Sequence, residues 1–102
     1  YFPKYRVAVF IHGCFWHRHD GCKYAYMPKT NTEFWSAKFS ANTARDEKVL
    51  TRLTSADIRV LVIWECTIRK MKRSRTYCDM IIQALVDSII SDQSAKHDHA
   101  FD

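Results

Sequence analysis

The chain has 102 residues, of which 47% are hydrophobic, and its 16 Lys and Arg outnumber its 11 Asp and Glu to give a formal net charge of +5. This length and apolar content predict one domain with a modest core, and only two glycines and two prolines exclude a low-complexity chain. No apolar run reaches the roughly 20 residues that span a bilayer, and no secretory signal opens the chain. We therefore expect a cytoplasmic protein without membrane contact, whose four cysteines are thiols or metal ligands rather than disulfides. The positive charge favours an anionic partner.

The first predicted element is a buried strand over about residues 5–11, which contains the apolar run Val7–Ile11. A loop follows this strand. A helix is then predicted from a capping box in which Thr30 caps the backbone N–H of Glu33. Apolar residues at roughly helical spacing extend this helix to about Thr54.

A second strand is predicted over residues 58–64, where nearly every position is apolar, which indicates burial on both faces. The stretch 69–75 holds five cations in seven residues, a pattern that fits a solvated connector as well as a phosphate contact. A last helix is predicted over about residues 76–91, and the polar tail 92–102 is expected to be frayed. Strand, helix and strand predict a right-handed crossover between two parallel strands. Because two strands make a poor sheet, we expect further strands upstream of Tyr1.

The most informative segment is His12–Cys22, where two cysteines, three histidines and two large aromatic residues fall within eleven positions. It comes directly after the first strand, and strand ends that open into loops often carry functional residues. Thiolates and imidazoles are the ligands that zinc prefers, and aromatic side chains among basic residues suit stacking on nucleic-acid bases. The segment therefore predicts a metal site and a nucleic-acid surface on one loop.

Four residues are candidate zinc ligands, three on this loop and one after the second strand: Cys14, His19, Cys22 and Cys66. Parallel strands end at the same edge of a sheet, so the fourth ligand can approach the other three. The turn Asp20–Gly21 can bring the two ligands that flank it to one ion. Three thiolates and an imidazole form a closed tetrahedral set for structural zinc. The alternative interpretation is a group of buried free thiols and a surface histidine.

Four segments resemble the very-short-patch-repair (Vsr) family of DNA mismatch endonucleases: His12–His17, Thr32–Trp35, Asn42 with Arg45–Asp46, and Val60–Cys66. The resemblance extends over about residues 5–68, with segment order and spacing maintained. It implies an α/β fold with a restriction-endonuclease-like core, in which a mixed sheet is flanked by helices. It also implies an enzyme that nicks DNA 5′ of the thymine in a T·G mismatch. The implied partner is double-stranded DNA with that mismatch, and the protein is expected to be a monomer.

The resemblance further implies roles for individual residues in zinc binding, catalysis and DNA binding. The implied zinc ligands are Cys14, His19, Cys22 and Cys66. The implied catalytic residues are His17, Asp46 and His12. The residues implied to bind DNA are Phe15, Trp16, Trp35 and Asn42. In the family, a carboxylate orients a histidine that takes a proton from water, and aromatic side chains wedge into the duplex beside the mismatch. Without the resemblance, core packing is the preferred interpretation of Phe15 and Trp35, and a structural role that of His12.

Two departures from the family pattern concern magnesium, the implied catalytic cofactor. The family's metal-binding aspartate falls before Tyr1, together with a strand and a helix, and no carboxylate precedes Asp20. Ile11 also stands where the family pattern has threonine. A nuclease needs an anionic oxygen to hold magnesium against the phosphate. We therefore expect an N-terminally truncated domain with impaired catalysis.

Two other interpretations stay open from the sequence. One is a zinc-stabilised, catalytically silent DNA-binding remnant of the family. The other is a small zinc module that binds protein partners through the basic stretch and the last helix. The three aromatic residues assigned to DNA favour the first two interpretations over the third, because a protein-binding module has no need of them on one face.

Overall fold

The computed structural model describes residues 1–91 and the backbone of residues 99–101. The elements, in chain order, are β1 (Val7–His12), α1 (Thr32–Ser55), β2 (Arg59–Trp64), α2 (Glu65–Arg73), α3 (Arg75–Ile90) and β3 (His99–Phe101). The predicted α/β class is confirmed. Within the described ranges, no helix combines the length and the apolar character that crossing a bilayer requires.

The three strands form one sheet in the order β1-β2-β3, so that β2 lies in the middle. β1 pairs with β2 in parallel, from Val7 opposite Arg59 to His12 opposite Trp64. This confirms the predicted pair of parallel strands with a helix between them. β3 also pairs with β2 in parallel. All three strands of the described part are thus parallel, and the mixed sheet implied by the resemblance is not seen there.

The third strand comes from a part of the chain that was predicted to be frayed. Residues 99–101 pair with Leu61–Ile63 of β2, so this part of the predicted tail is in a strand instead. The remainder of that tail, residues 92–98 and 102, lies outside the described residues. Composition misses such a strand because its pairing with β2 is a tertiary contact that a short segment does not encode.

The core lies where α3 packs on the sheet. Val7, Leu61 and Ile89 form its buried cluster, with Val9 and Leu85 packed against it. β2 is buried from Arg59 to Ile63, as its continuous apolar run predicts. Burial of each large aliphatic side chain contributes about 1.5–3 kcal/mol, so this cluster is a main source of stability.

Arg59 is a buried charge within this apolar strand and is only 6% exposed. Its guanidinium donates hydrogen bonds to the carbonyl oxygens of Ser88, Ile89 and Ser91, at 2.8, 3.0 and 3.1 Å. The last carbonyls of a helix have no partner within the helix and carry partial negative charge. Arg59, the first residue of β2, therefore supplies hydrogen-bond donors to the last carbonyl oxygens of α3 and links the end of that helix to the sheet.

The structure corrects two local predictions. The capping box of Thr30 and Glu33 is wrong, because α1 begins at Thr32 after Asn31, which has φ 53° and makes no side-chain cap hydrogen bond. Asparagine tolerates this left-handed conformation better than most residues. Of the two interpretations of residues 69–75, the connector between elements is wrong, because most of this stretch lies in α2, although its cations are exposed to solvent. This segment is too polar for apolar periodicity to predict a helix.

We expect the substitution Arg59→Met to lower the free energy of unfolding by about 2–4 kcal/mol, since three carbonyl oxygens lose a charged donor in a buried place. Urea denaturation measures this change. The control is Arg52→Met on the exposed surface of α1, for which we expect a loss well below about 1 kcal/mol. Similar losses in both variants would contradict the assigned role of Arg59.

Candidate functional site

The predicted site residues gather at one edge of the sheet. β1 ends at His12 and β2 ends at Trp64, directly opposite each other. The loop 13–31 leaves the first of these strand ends, and α2 begins immediately after the second. Parallel pairing therefore brings the start of a long loop next to the start of a helix.

The four candidate zinc ligands come together at this edge. Their ligand atoms all lie within 4.8 Å of one another: Sγ of Cys14, Cys22 and Cys66 and a ring nitrogen of His19. Ligand atoms of tetrahedral zinc lie about 3.5–3.8 Å apart, so small side-chain shifts suffice to surround an ion. Gly21 has φ 68°, as required of the tight turn between two of the ligands.

Neighbouring groups hold these side chains in place. The backbone N–H of Cys66 donates to Sγ of Cys14 at 3.3 Å, and Sγ of Cys66 lies 3.5 Å from Nδ1 of His19. The imidazole of His19 stacks on Trp64 with 4.1 Å between ring centroids. Burial raises the pKa of the Cys14 thiol to about 12. A thiolate at this position therefore needs a cation beside it, and the sulfur and nitrogen donors are those that suit zinc.

A second constellation joins the loop to α1. Nδ1 of His17 lies 2.7 Å from Oδ2 of Asp46, and both side chains are partly exposed. An ionised carboxylate only accepts hydrogen bonds, so Nδ1 carries the proton of this contact and Nε2 is the ring nitrogen that can accept another. This is the arrangement in which an imidazole can take a proton from water.

The imidazole of His12 completes this constellation. It stacks on the ring of His17, with centroids 3.9 Å apart and an interplanar angle of 7°, and it meets the edge of Trp64 at 5.3 Å. Burial lowers the pKa of His12, and the neighbouring His17 lowers it further. A neutral ring packed in this way contacts the candidate base directly, whereas the sequence alone favoured a purely structural role for it.

A cavity of 530 Å³ opens beside the two histidines, between α1 and the sheet. Asp46 and Glu47 are the carboxylates in its lining, and Asp46 is already bonded to His17. Imidazole nitrogens are poor ligands for magnesium, which prefers several oxygen atoms. The described residues therefore do not fit a magnesium site, in agreement with the departure noted in the sequence.

Three aromatic residues predicted to bind DNA form one cluster on the same edge. Ring centroids are 5.2 Å apart for Phe15 and Trp16, 5.5 Å for Phe15 and Trp35, and 5.8 Å for Trp16 and Trp35. Trp16 is 45% exposed, and the buried Phe39 supports the cluster from below. The cluster thus presents an exposed indole on a rigid aromatic base.

Residues of α1 reach this edge from one face of the helix. Intervals of three or four residues, the spacing that aligns side chains on one face of a helix, separate Trp35, Phe39, Asn42 and Asp46. The side-chain amide of Asn42 donates to the carbonyl oxygen of Trp16 at 3.4 Å. Asn42, predicted to bind DNA, therefore also links α1 to the loop.

Arg18 is a functional residue that sequence reasoning missed. It donates hydrogen bonds to the carbonyl oxygens of Phe15, Ala25 and Tyr26, at 3.1, 2.8 and 3.1 Å. Its guanidinium also lies 3.9 Å from the ring centroid of Phe39. Arg18 fastens two parts of the loop to each other and to α1. In the sequence it is one cation between two histidines, and nothing there distinguishes it from a solvated side chain.

Comparison with known proteins gives consistent matches. A sequence model of the family described as DNA mismatch endonuclease Vsr matches residues 1–23. A type II nicking enzyme from Neisseria meningitidis is 37% identical over 86 residues, and one from Xanthomonas oryzae is 45% identical over 65 residues. The DNA mismatch endonuclease Vsr of Escherichia coli is 46% identical over 66 residues. The chain belongs to the Vsr family.

These matches cover much of the chain but only part of each relative. They include 84%, 64% and 65% of this chain and 61%, 47% and 42% of the three relatives, respectively. The chain thus spans about half the length of these Vsr-type proteins.

Proposed function

We propose that this chain is the core of a mismatch endonuclease that nicks duplex DNA 5′ of the thymine in a T·G pair. The observation that carries the proposal is the 2.7 Å contact between His17 and Asp46, which orients a base beside an exposed aromatic cluster. A base that can activate water and a wedge that can open a base step are the two parts a mismatch-directed nuclease needs. The nicking and mismatch enzymes among the relatives support the same conclusion.

DNA recognition is assigned to the aromatic cluster. Trp16 is its exposed member and enters the duplex, while Phe15 and Trp35 hold it from behind. A wobble pair such as T·G is easier to unstack than a Watson–Crick pair, so insertion costs least at the mismatch. Asn42 keeps the loop and α1 together through the carbonyl of Trp16 while the DNA is bound.

Hydrolysis is assigned to the histidine and aspartate constellation. Nε2 of His17 takes a proton from a water whose oxygen bonds to phosphorus. The bond from phosphorus to the leaving sugar oxygen breaks, and that oxygen takes up a proton from solvent to become a hydroxyl group. Asp46 stabilises the imidazolium that forms. The stacked neutral ring of His12 keeps His17 in place beside the phosphate. Magnesium neutralises phosphate charge in nucleases of this kind, but no step is assigned to it because the described residues do not form its site.

The same observation favours a second candidate function. The described residues contain a candidate wedge and a candidate base but no cage of oxygen ligands for magnesium beside them, an arrangement suited to binding mismatched DNA without cutting it. This is the zinc-stabilised, catalytically silent form of the proposal. The two functions share the DNA surface and differ only in turnover, so the nicking assay below separates them.

We assign a structural zinc ion to Cys14, His19, Cys22 and Cys66. The support is the convergence of three sulfur atoms and one imidazole nitrogen, together with the raised pKa of a buried thiol among them. Zinc at this position closes a long stretch of chain between the loop and α2, and so fixes the edge on which the other site residues stand.

We also propose that the α/β unit is a single restriction-endonuclease-like domain and that the protein is a cytoplasmic monomer without membrane contact. The central parallel pair of strands with helices packed on it supports the fold. None of the four cysteines is in a disulfide, as expected in a reducing compartment. Analytical ultracentrifugation tests the monomer directly.

Replacement of Cys66 by Ser is expected to reduce bound zinc from about one ion per chain to nearly none. It should also lower the free energy of unfolding by several kcal/mol, since structural zinc contributes directly to folding. Elemental analysis and thermal unfolding measure the two effects. Cys78→Ser is the matched control, because Cys78 is a free cysteine outside the cluster. Full zinc content in the Cys66 variant would refute the assignment.

Replacement of Trp16 by Ala is expected to remove the preference for a T·G duplex over a matched duplex of the same sequence. The loss should be about 1–3 kcal/mol, the usual contribution of one stacking side chain. Fluorescence anisotropy with both duplexes gives the ratio of affinities. Trp16→Phe keeps an aromatic ring and should retain part of the preference. An unchanged ratio in the Ala variant would exclude Trp16 as the wedge.

We expect the 102-residue chain to nick a labelled T·G duplex slowly or not at all in magnesium. Any nicking should fall by at least about 10²-fold in His17→Ala, the usual contribution of a general base. Asp79→Ala, on the exposed surface of α3, is the control. Rapid nicking by the unaltered chain would show that these 102 residues contain all the ligands that magnesium needs. Binding with mismatch preference but without nicking would identify the silent form.

A further inference from the structure

The basic segment that the sequence left without a role lies in α2. This helix has nine residues, of which Arg69, Lys70, Lys72 and Arg73 are basic and only Glu65 is acidic. Three of these cations lie in its last turn. α1 has 24 residues with four basic and three acidic side chains. The positive charge of the protein is therefore concentrated on the shortest helix.

α2 begins at the same edge of the sheet as the proposed active site. Its first residue follows Trp64, and its second is Cys66 of the zinc cluster. The guanidinium of Arg69 lies 4.8 Å from the ring centroid of Tyr24, and Nζ of Lys23 lies 5.2 Å from the same ring. The charge of α2 thus continues onto the loop that carries the aromatic cluster.

The cations nearest the end of α2 face solvent. The ion pairs at the two ends of this region join Arg69 to Glu65 at 3.1 Å and Arg75 to Asp79 at 3.8 Å. Nζ of Lys70 lies 4.4 Å from the ring centroid of Tyr77. Lys72 and Arg73 are exposed, and Nε of Arg73 donates to the carbonyl oxygen of Arg69 at 3.4 Å. We call Lys23, Arg69, Lys70, Lys72 and Arg73 the α2 patch.

We propose that the α2 patch binds the sugar–phosphate backbone of duplex DNA beside the mismatch, an inference that rests on the proposed function in placing DNA at this edge. The patch adjoins the aromatic cluster through the loop, so one duplex can engage both. Flexible cations at the end of a short helix suit phosphate groups rather than base edges. The patch therefore supplies affinity that is independent of sequence, while the aromatic cluster supplies the preference for the mismatch.

The test compares two charge-neutralised variants of the 102-residue chain. Lys72→Gln with Arg73→Gln removes two exposed cations from α2, and Lys48→Gln with Arg52→Gln removes two from α1. Each pair contains one Lys and one Arg, and each Arg lies in the last turn of its helix. The pair on α1 lies toward the opposite edge of the sheet, where that helix ends before β2. Thermal unfolding verifies that both variants are folded.

The readout is affinity for T·G and matched duplexes at several salt concentrations. In the α2 variant, we expect the slope of log affinity against log salt to become shallower by about two, roughly 0.9 for each lost phosphate contact. Both duplexes should lose affinity by the same factor, so the mismatch preference stays constant. The α1 variant should keep the slope of the unaltered chain.

An unchanged slope in the α2 variant would overturn the inference and leave α2 as a solvated surface or a site for an acidic protein. Equal changes of slope in both variants would also overturn the inference, since the affinity would then depend on the total charge of the protein and not on the position of the cations. Failure of the proposed function gives a different result. If the unaltered chain binds T·G and matched duplexes equally, the aromatic wedge is refuted, but a selective change of slope in the α2 variant still supports the patch.

Discussion

The parallel register of β1 and β2 is the constraint on which the rest of the site depends. It places His12 opposite Trp64, so the loop after one strand and the helix after the other begin side by side. Cys66 reaches Cys14 only because of this register. A shift by one residue would turn every side chain of a strand to the other face and separate the ligands. The register is defined by burial, since β2 is covered along five consecutive positions.

Trp64 connects the two constellations that this register creates. One surface of its indole stacks on His19 of the zinc cluster, and the ring also meets His12 beside the proposed base. A change in the orientation of His19 would therefore shift Trp64, which packs against His12 and so supports the stacked rings of His12 and His17. On the zinc assignment proposed above, an ion that takes no part in the reaction would still influence the position of the proposed base, because His19 and His12 both contact one tryptophan at the end of β2.

The sequence predicted β1, β2, two of the helices and the cysteine cluster, because apolar periodicity and the placement of ligands after strands are local signals. The pair His17 and Asp46 lies 29 positions apart, and only the family resemblance indicated it. Arg18 and Arg59 were not predicted, since their partners are backbone carbonyls that no residue type reveals. α2 was missed because it is short and five of its nine residues are charged, so its few apolar residues give only a weak periodic signal.

The contact of Arg59 with the end of α3 has a consequence for how the protein opens. Helix ends usually fray, because their last carbonyls exchange partners with water at little cost. Here the last turn cannot leave the sheet without exposing the Val7, Leu61 and Ile89 cluster and stranding a buried guanidinium. Amide hydrogens near Ile89 should therefore exchange with solvent only when the whole core unfolds. The C-terminal turn of α3 is thus expected to be one of the slowest-exchanging parts of that helix.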